Sequence, residues 1–104
     1  MPYAFIQDIP ADAYTYGQVR ARMADTPPAG LLSHVVYERE EGLRFVDVWE
    51  SEEAWRAFHD STLMPILSSV LSDNGLTPDP SKVIREQVTV VDTWVQAPAH
   101  LPVA

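Results

Sequence analysis

Residues 30–67 read GLLSHVVYEREEGLRFVDVWESEEAWRAFHDSTLMPIL, and this stretch decides the fold. Leu31–Glu40 and Leu43–Glu50 are two β-type runs around Glu41-Gly42, and a two-residue turn with glycine second is a strong hairpin signal. That turn pairs Arg39 with Arg44, Glu38 with Phe45, Val36 with Asp47 and His34 with Trp49. Ser51 then caps a helix whose first turn holds Glu52 and Glu53, where the helix dipole favours negative charge. Trp55, Phe58 and Thr62 form its inner face, with His59 beside them. Pro65 clashes with the carbonyl four residues back, so the spacing predicts a kink, or a second helix capped by Ser61 and running to about Leu71. Asp73-Asn74-Gly75 ends it.

Working outward, Tyr3–Gln7 is a short β-type run stopped by Asp8 and Pro10. Asp12 caps a helix through Met23, with Tyr16, Val19 and Met23 on one face. Gly17 weakens that helix and suggests the close approach of another backbone. Thr26-Pro27-Pro28-Ala29-Gly30 breaks the chain. Val83–Val95, rich in β-branched residues, reads as a long last strand. The order is β-α-β-β-α-β, an α+β ferredoxin-like antiparallel sheet with its helices on one face. Residues 1–96 form one domain and 97–104 a tail.

The hairpin is apolar on both sides. One carries Leu32, His34, Val36, Phe45, Asp47 and Trp49; the other carries Leu31, Ser33, Val35, Tyr37, Val46 and Val48. Helices cover only one face, so the second needs a partner, and a homodimer through the sheet face supplies it. A chain of 104 residues buries only about two-thirds of its unfolded surface, which favours the same outcome. The alternative is a sheet that binds a different partner.

Composition narrows the function classes. The charge of -8, from 15 acidic and 7 basic residues, opposes binding to nucleic acid or anionic membranes. No cysteine is present, which excludes disulfides, thiolate catalysis and cysteine-based zinc sites. Met1–Asp8 lacks the pattern of a signal peptide and no apolar run is long enough to span a bilayer, so a cytoplasmic location is the expectation.

Gly30-Leu31-Leu32-Ser33-His34-Val35, Gly42, Val46-Asp47-Val48-Trp49-Glu50-Ser51, Glu53-Ala54-Trp55-Arg56-Ala57-Phe58 and Leu63-Met64-Pro65 resemble the antibiotic-biosynthesis monooxygenase-like family, in its small single-domain form. The resemblance runs from Phe5 to about Val95. It implies a dimeric α+β barrel, and it brings in cofactor-free oxygenases acting on polycyclic aromatic phenols. A second group in the family degrades haem, using an asparagine on the first strand, a tryptophan on the second helix and a histidine ten residues on. The matching positions here are Gln7, Phe58 and Ser68, so the iron-ligating histidine is missing and haem degradation is not implied.

His34 lies mid-strand near Asp47 and Trp49. It reads as a general base for a phenol or enol proton, or as a buried histidine serving a backbone carbonyl or a dimer contact. Asp47 reads as its helper, or as the salt-bridge partner of Arg39, Arg44 or a residue of the second subunit. Gln7, Tyr16, Trp49, Trp55, Phe58, His59 and Met64 are candidates to bind a small apolar or aromatic ligand; the aromatic ones equally suit an ordinary core. Adjacent His59 and Asp60 are expected to point apart, so no metal is expected unless His34, His59 and a carboxylate converge. No cofactor is expected. The leading expectation is a cofactor-independent monooxygenase-like enzyme of secondary metabolism. The alternatives are a non-catalytic ligand-binding or stress-associated dimer, and a cofactor-free cyclase or isomerase.

Overall fold

A computed structural model of the chain describes residues 2–94. It contains β1 (Tyr3–Ile9), α1 (Ala13–Ala21), β2 (Leu31–Arg39), β3 (Gly42–Trp49), α2 (Glu52–Phe58), α3 (Met64–Asp73) and β4 (Ile84–Val88). The strands form one sheet in the order β2-β3-β1-β4, with β3 antiparallel to both β1 and β2, and β4 antiparallel to β1. This is the ferredoxin-like α+β arrangement that the element order predicts.

Two of the three expected caps form. The Asp12 carboxylate accepts from the Thr15 amide at 2.8 Å and the Ser51 hydroxyl from the Ala54 amide at 3.1 Å. The first helix stops at Ala21 rather than Met23, because its last amides, Arg22 and Met23, turn back to the carbonyls three residues earlier. Around Pro65 the chain takes a kinked course. A π turn, His59–Leu63, absorbs the strain between α2 and α3, and Ser61 is not a cap but donates to the Ala57 carbonyl at 2.6 Å. Arg22 clasps α1 to α3 through Ser69 and Asp73, both at 2.8 Å.

The hairpin register differs from the expected one by two residues on β3. Glu40-Glu41 is the turn; Arg39 pairs with Gly42, Tyr37 with Arg44, Val36 with Phe45 and His34 with Asp47. Gly42 is therefore not a turn residue. It opens β3 at φ +144°, and a Cβ there would lie 2.1 Å from the Ile9 carbonyl oxygen, so the glycine answers to β1. A slip of two leaves every other side chain on its face, since strand side chains alternate with a period of two. The exception is local. An irregularity between Leu31 and Ser33 pairs Leu31 with Trp49, which turns Leu31 into the core and leaves Leu32 exposed.

The last strand is shorter than expected. Ala4 pairs with Val88, and β1 begins at Tyr3, so β1 offers almost nothing beyond Val88 for the β-branched run to pair with. Val91 and Trp94 are exposed, and Val95 and the tail 97–104 lie outside the described residues.

The helix-covered face holds the core: Tyr3, Phe5, Trp49 and Trp55 are buried, with Leu31, Ala54 and Phe58 packed against them. The other face keeps Val35, Tyr37 and Ile84 exposed and Ile6, Val46, Val48 and Val88 half-buried, the apolar surface that the alternation predicts. Its polar contribution is an ion cluster at the hairpin end. The Asp8 carboxylate takes Arg44 at 2.7 and 2.9 Å and Arg39 at 2.9 Å.

Gly17 makes no close approach, as nothing lies within 4 Å of a Cβ built there. Gly17→Ala is expected to raise stability by about 1 kcal/mol in urea unfolding, and Gly42→Ala to lower it by about 3 kcal/mol. Asp8 supplies a separate test. The Arg44 hydrogen bond, partly opposed by desolvation and reinforced by the charges of Arg39 and Arg44, holds its carboxyl below the ordinary 3.8. A depressed acid stabilises the fold above its unfolded pKa and loses that contribution as pH falls through the folded value. The melting temperature of Asp8→Asn should therefore fall less steeply than that of the wild type below about pH 4; parallel acid limbs would contradict this.

Candidate functional site

On the helix-covered face, β2 and β3 set His34 directly opposite Asp47. Asp47 is buried, and its two oxygens are both used: Oδ1 accepts from His34 Nδ1 at 2.6 Å and Oδ2 from Trp49 Nε1 at 3.1 Å. Because a carboxylate only accepts, Nδ1 carries a proton and donates it to Asp47; in the neutral tautomer that has this N–H, the lone pair is on Nε2. That nitrogen lies 2.9 Å from the Tyr16 hydroxyl, which α1 carries down onto the sheet. The result is a continuous chain, Trp49–Asp47–His34–Tyr16, running from the core to a half-exposed phenol.

Phe45 walls this chain, with its ring edge-on to both Tyr16 and His34 at centroid distances of 5.5 and 5.6 Å. Burial pushes the Tyr16 phenol above its ordinary 10.0, opposed by nearby Arg20 and reinforced by the Asp47 charge. Tyr16 thus keeps its phenol proton at neutral pH. The His34 side chain is 28% exposed and that of Asp47 7%, so the imidazole is reachable and the carboxylate is not.

The arginine partners expected for Asp47 do not reach it. Arg39 and Arg44 project from the opposite face and pair with Asp8. The remaining predicted residues divide between core and a second cluster. Trp49 and Trp55 are core, and Phe58 stacks on Trp49 at 5.4 Å. Met64 opens α3, 36% exposed. His59 lies 4.9 Å from the Trp55 ring, and its Nδ1 meets Asp60 Oδ1 at 2.9 Å, so these neighbours do touch where they were expected to point apart. The half-buried Asp-facing ring leaves Asp60 free to fold back on it from solvent. His34 and His59 each have their own carboxylate, and among the described residues no three His, Asp or Glu side chains converge as metal ligands.

Gln7 accepts from Arg85 Nε at 2.9 Å, and Arg85 lies over the rings of Trp55 and Phe5. Sequence reasoning missed Arg85. The signal was present in the alternation of the last strand, which sets Arg85 and Gln87 on one face, but only the β1–β4 register shows that this face meets Gln7. Two open depressions, of about 430 and 260 Å³, lie at the hairpin end, lined by residues such as Pro10, Arg39 and Glu41. Neither is lined by His34, Asp47, Tyr16 or Trp55.

No family model and no curated protein sequence gives a significant match to this chain. Solved structures match it in shape. A Chloroflexus aurantiacus J-10-fl protein named as a candidate antibiotic biosynthesis monooxygenase superposes with a TM-score of 0.60 at 17% identity, over 91% of this chain and 98% of that one. Rv0793 of Mycobacterium tuberculosis gives 0.57 at 20% identity, over 89% and 98%. SnoaB, a cofactor-independent oxygenase from Streptomyces nogalater, gives 0.51 at 15% identity, over 91% and 96%. Identities this low speak for architecture alone. By fold, then, the chain stands with the antibiotic-biosynthesis monooxygenase-like proteins.

Proposed function

We propose that the protein is a cofactor-independent, monooxygenase-like enzyme acting on an apolar aromatic or polyketide-type phenol, with His34 as general base. The observation that carries this reading is the hydrogen-bonded chain Asp47–His34–Tyr16. A substrate hydroxyl donates to the Tyr16 oxygen while the Tyr16 proton passes to Nε2. Asp47 stabilises the imidazolium that forms, being fixed and buried beside it. The substrate anion gives one electron to O2, and the radical pair joins as a new C–O bond. The peroxide takes the proton back from His34, and loss of water leaves a carbonyl. The substrate supplies every electron. The fold shared with SnoaB, a cofactor-independent oxygenase, supports the reaction class.

The same scaffold acts, in this reading, as a homodimer joined through its uncovered sheet face. Val35, Tyr37, Val46 and Ile84 form an apolar surface there that a second copy covers. One observation favours a non-catalytic, ligand-binding or stress-associated dimer instead: every polar group in the His34 chain already has a partner, and neither described depression opens onto it.

Oxygen uptake with 1,8-dihydroxyanthrone as a polycyclic phenolic probe separates these readings. Wild-type protein should consume one O2 per molecule of probe oxidised, and His34→Gln should lower kcat by about 100-fold or more. Full activity in His34→Gln would remove the base assignment. Turnover that persists without O2 would mean cyclisation or isomerisation, and no turnover on any phenolic probe would favour the binding protein. For the assembly, light scattering should give a dimer mass for the wild type and a monomer mass for Val46→Glu. A wild-type monomer would refute the sheet-face pairing.

A further inference from the structure

The chain has seven basic side chains against fifteen acidic ones, so a cation without a carboxylate is unexpected. Arg22, Arg39, Arg44, Arg56 and Lys82 are all ion-paired. Arg20 and Arg85 are not, among the described residues, and of these two it is Arg85 that a side-chain hydrogen bond and two aromatic rings hold in place. Its guanidinium lies 4.3 Å over the Trp55 ring and 5.4 Å over that of Phe5, and its Nε–H is held by Gln7. A guanidinium has five N–H donors in a fixed plane, and this arrangement uses one while locking the plane in place. The other donors keep the geometry that grips a carboxylate with two parallel bonds.

The sheet register ties this cation to the proposed site. Arg85, Gln7, Phe45 and Val36 form one row across the helix-covered face, and Gln87, Phe5, Asp47 and His34 form the next. Arg85 and His34 therefore stand on the same face at opposite sides of the sheet, about 15 Å apart along the backbone row. Gln7 and Phe45, both half-buried, lie between them. An elongated aromatic lying across these residues meets a cation at one end and the Tyr16–His34 pair at the other.

We infer that Arg85, braced by Gln7 and Trp55, binds a carboxylate on the substrate, so that the natural substrate is a polycyclic aromatic acid and Arg85 fixes which end faces His34. This rests on the proposed reading of the helix-covered face as the substrate site. Cation–π contact with Trp55 keeps the guanidinium in place before the acid arrives, which limits the entropy lost on binding.

Calorimetric titration with 2-anthracenecarboxylate and with its neutral primary amide tests this. The wild type should bind the acid about tenfold more tightly than the amide, as a charge-assisted hydrogen bond implies. Arg85→Met, which retains an apolar side chain over Trp55, should bind both alike, while Arg85→Lys keeps part of the preference. His34→Ala should keep the full preference, so loss of the base assignment and loss of the acid site are read separately. Equal affinity of the wild type for acid and amide overturns the inference, with no variant needed. So does a preference that survives in folded Arg85→Met.

Discussion

The structure is organised around one buried charge. Asp47 sits on β3 among Phe45, Val46, Val48 and Trp49, and a carboxylate there without partners would cost several kcal/mol. Two N–H groups remove that cost, one from Trp49 on the same strand and one from His34 on the next. The requirement reaches outward. Only the register with Glu40-Glu41 as the turn sets His34 opposite Asp47. The irregularity at Leu31–Ser33 then turns Leu31 into the aromatic core without disturbing that pairing. The far nitrogen of His34 needs a partner in turn, and Tyr16 brings α1 to it. Among the described residues no buried side-chain nitrogen or oxygen is left without a hydrogen bond.

What could be read from the sequence is what depends on neighbours along the chain. Asp12 and Ser51 cap their helices because a cap acts over three residues. Apart from Leu31 and Leu32, the membership of the two sheet faces survived a wrong register, since an even slip preserves alternation. The wrong register itself came from Gly42. Its glycine looks like a turn signal, but the clash that demands it is with Ile9, on a strand distant in sequence. The length of β4 failed for a related reason. Its β-branched composition extends to Val95, whereas pairing ends where β1 begins.

The candidate site divides along the same line. The proximity of His34 and Asp47 was legible because both belong to one hairpin. Tyr16 was legible as an aromatic on the inner face of its helix, but its bond to Nε2 required knowing where α1 crosses the sheet. Trp49, Trp55 and Phe58 turned out to be packing against the sheet more than an open wall, consistent with the usual fate of aromatics at helical spacing. Arg85 was illegible because its meaning lies in the pairing of the first and last strands.

The identity of the group beside Asp47 carries the chemical argument. Three other acids of this chain are neutralised by arginine: Asp8 by Arg39 and Arg44, Glu52 by Arg56, Asp73 by Arg22. A guanidinium keeps its protons throughout the physiological range, so such pairs hold shape and nothing else. Asp47, the acid buried deepest among these, is paired with an imidazole. An imidazole satisfies the carboxylate in its neutral form, through Nδ1–H, and still offers a lone pair at Nε2. One ring thus bonds the buried carboxylate through one nitrogen and turns its second nitrogen to Tyr16, an arrangement in which a proton acceptor stands beside a fixed acid and which no arginine at position 34 could supply.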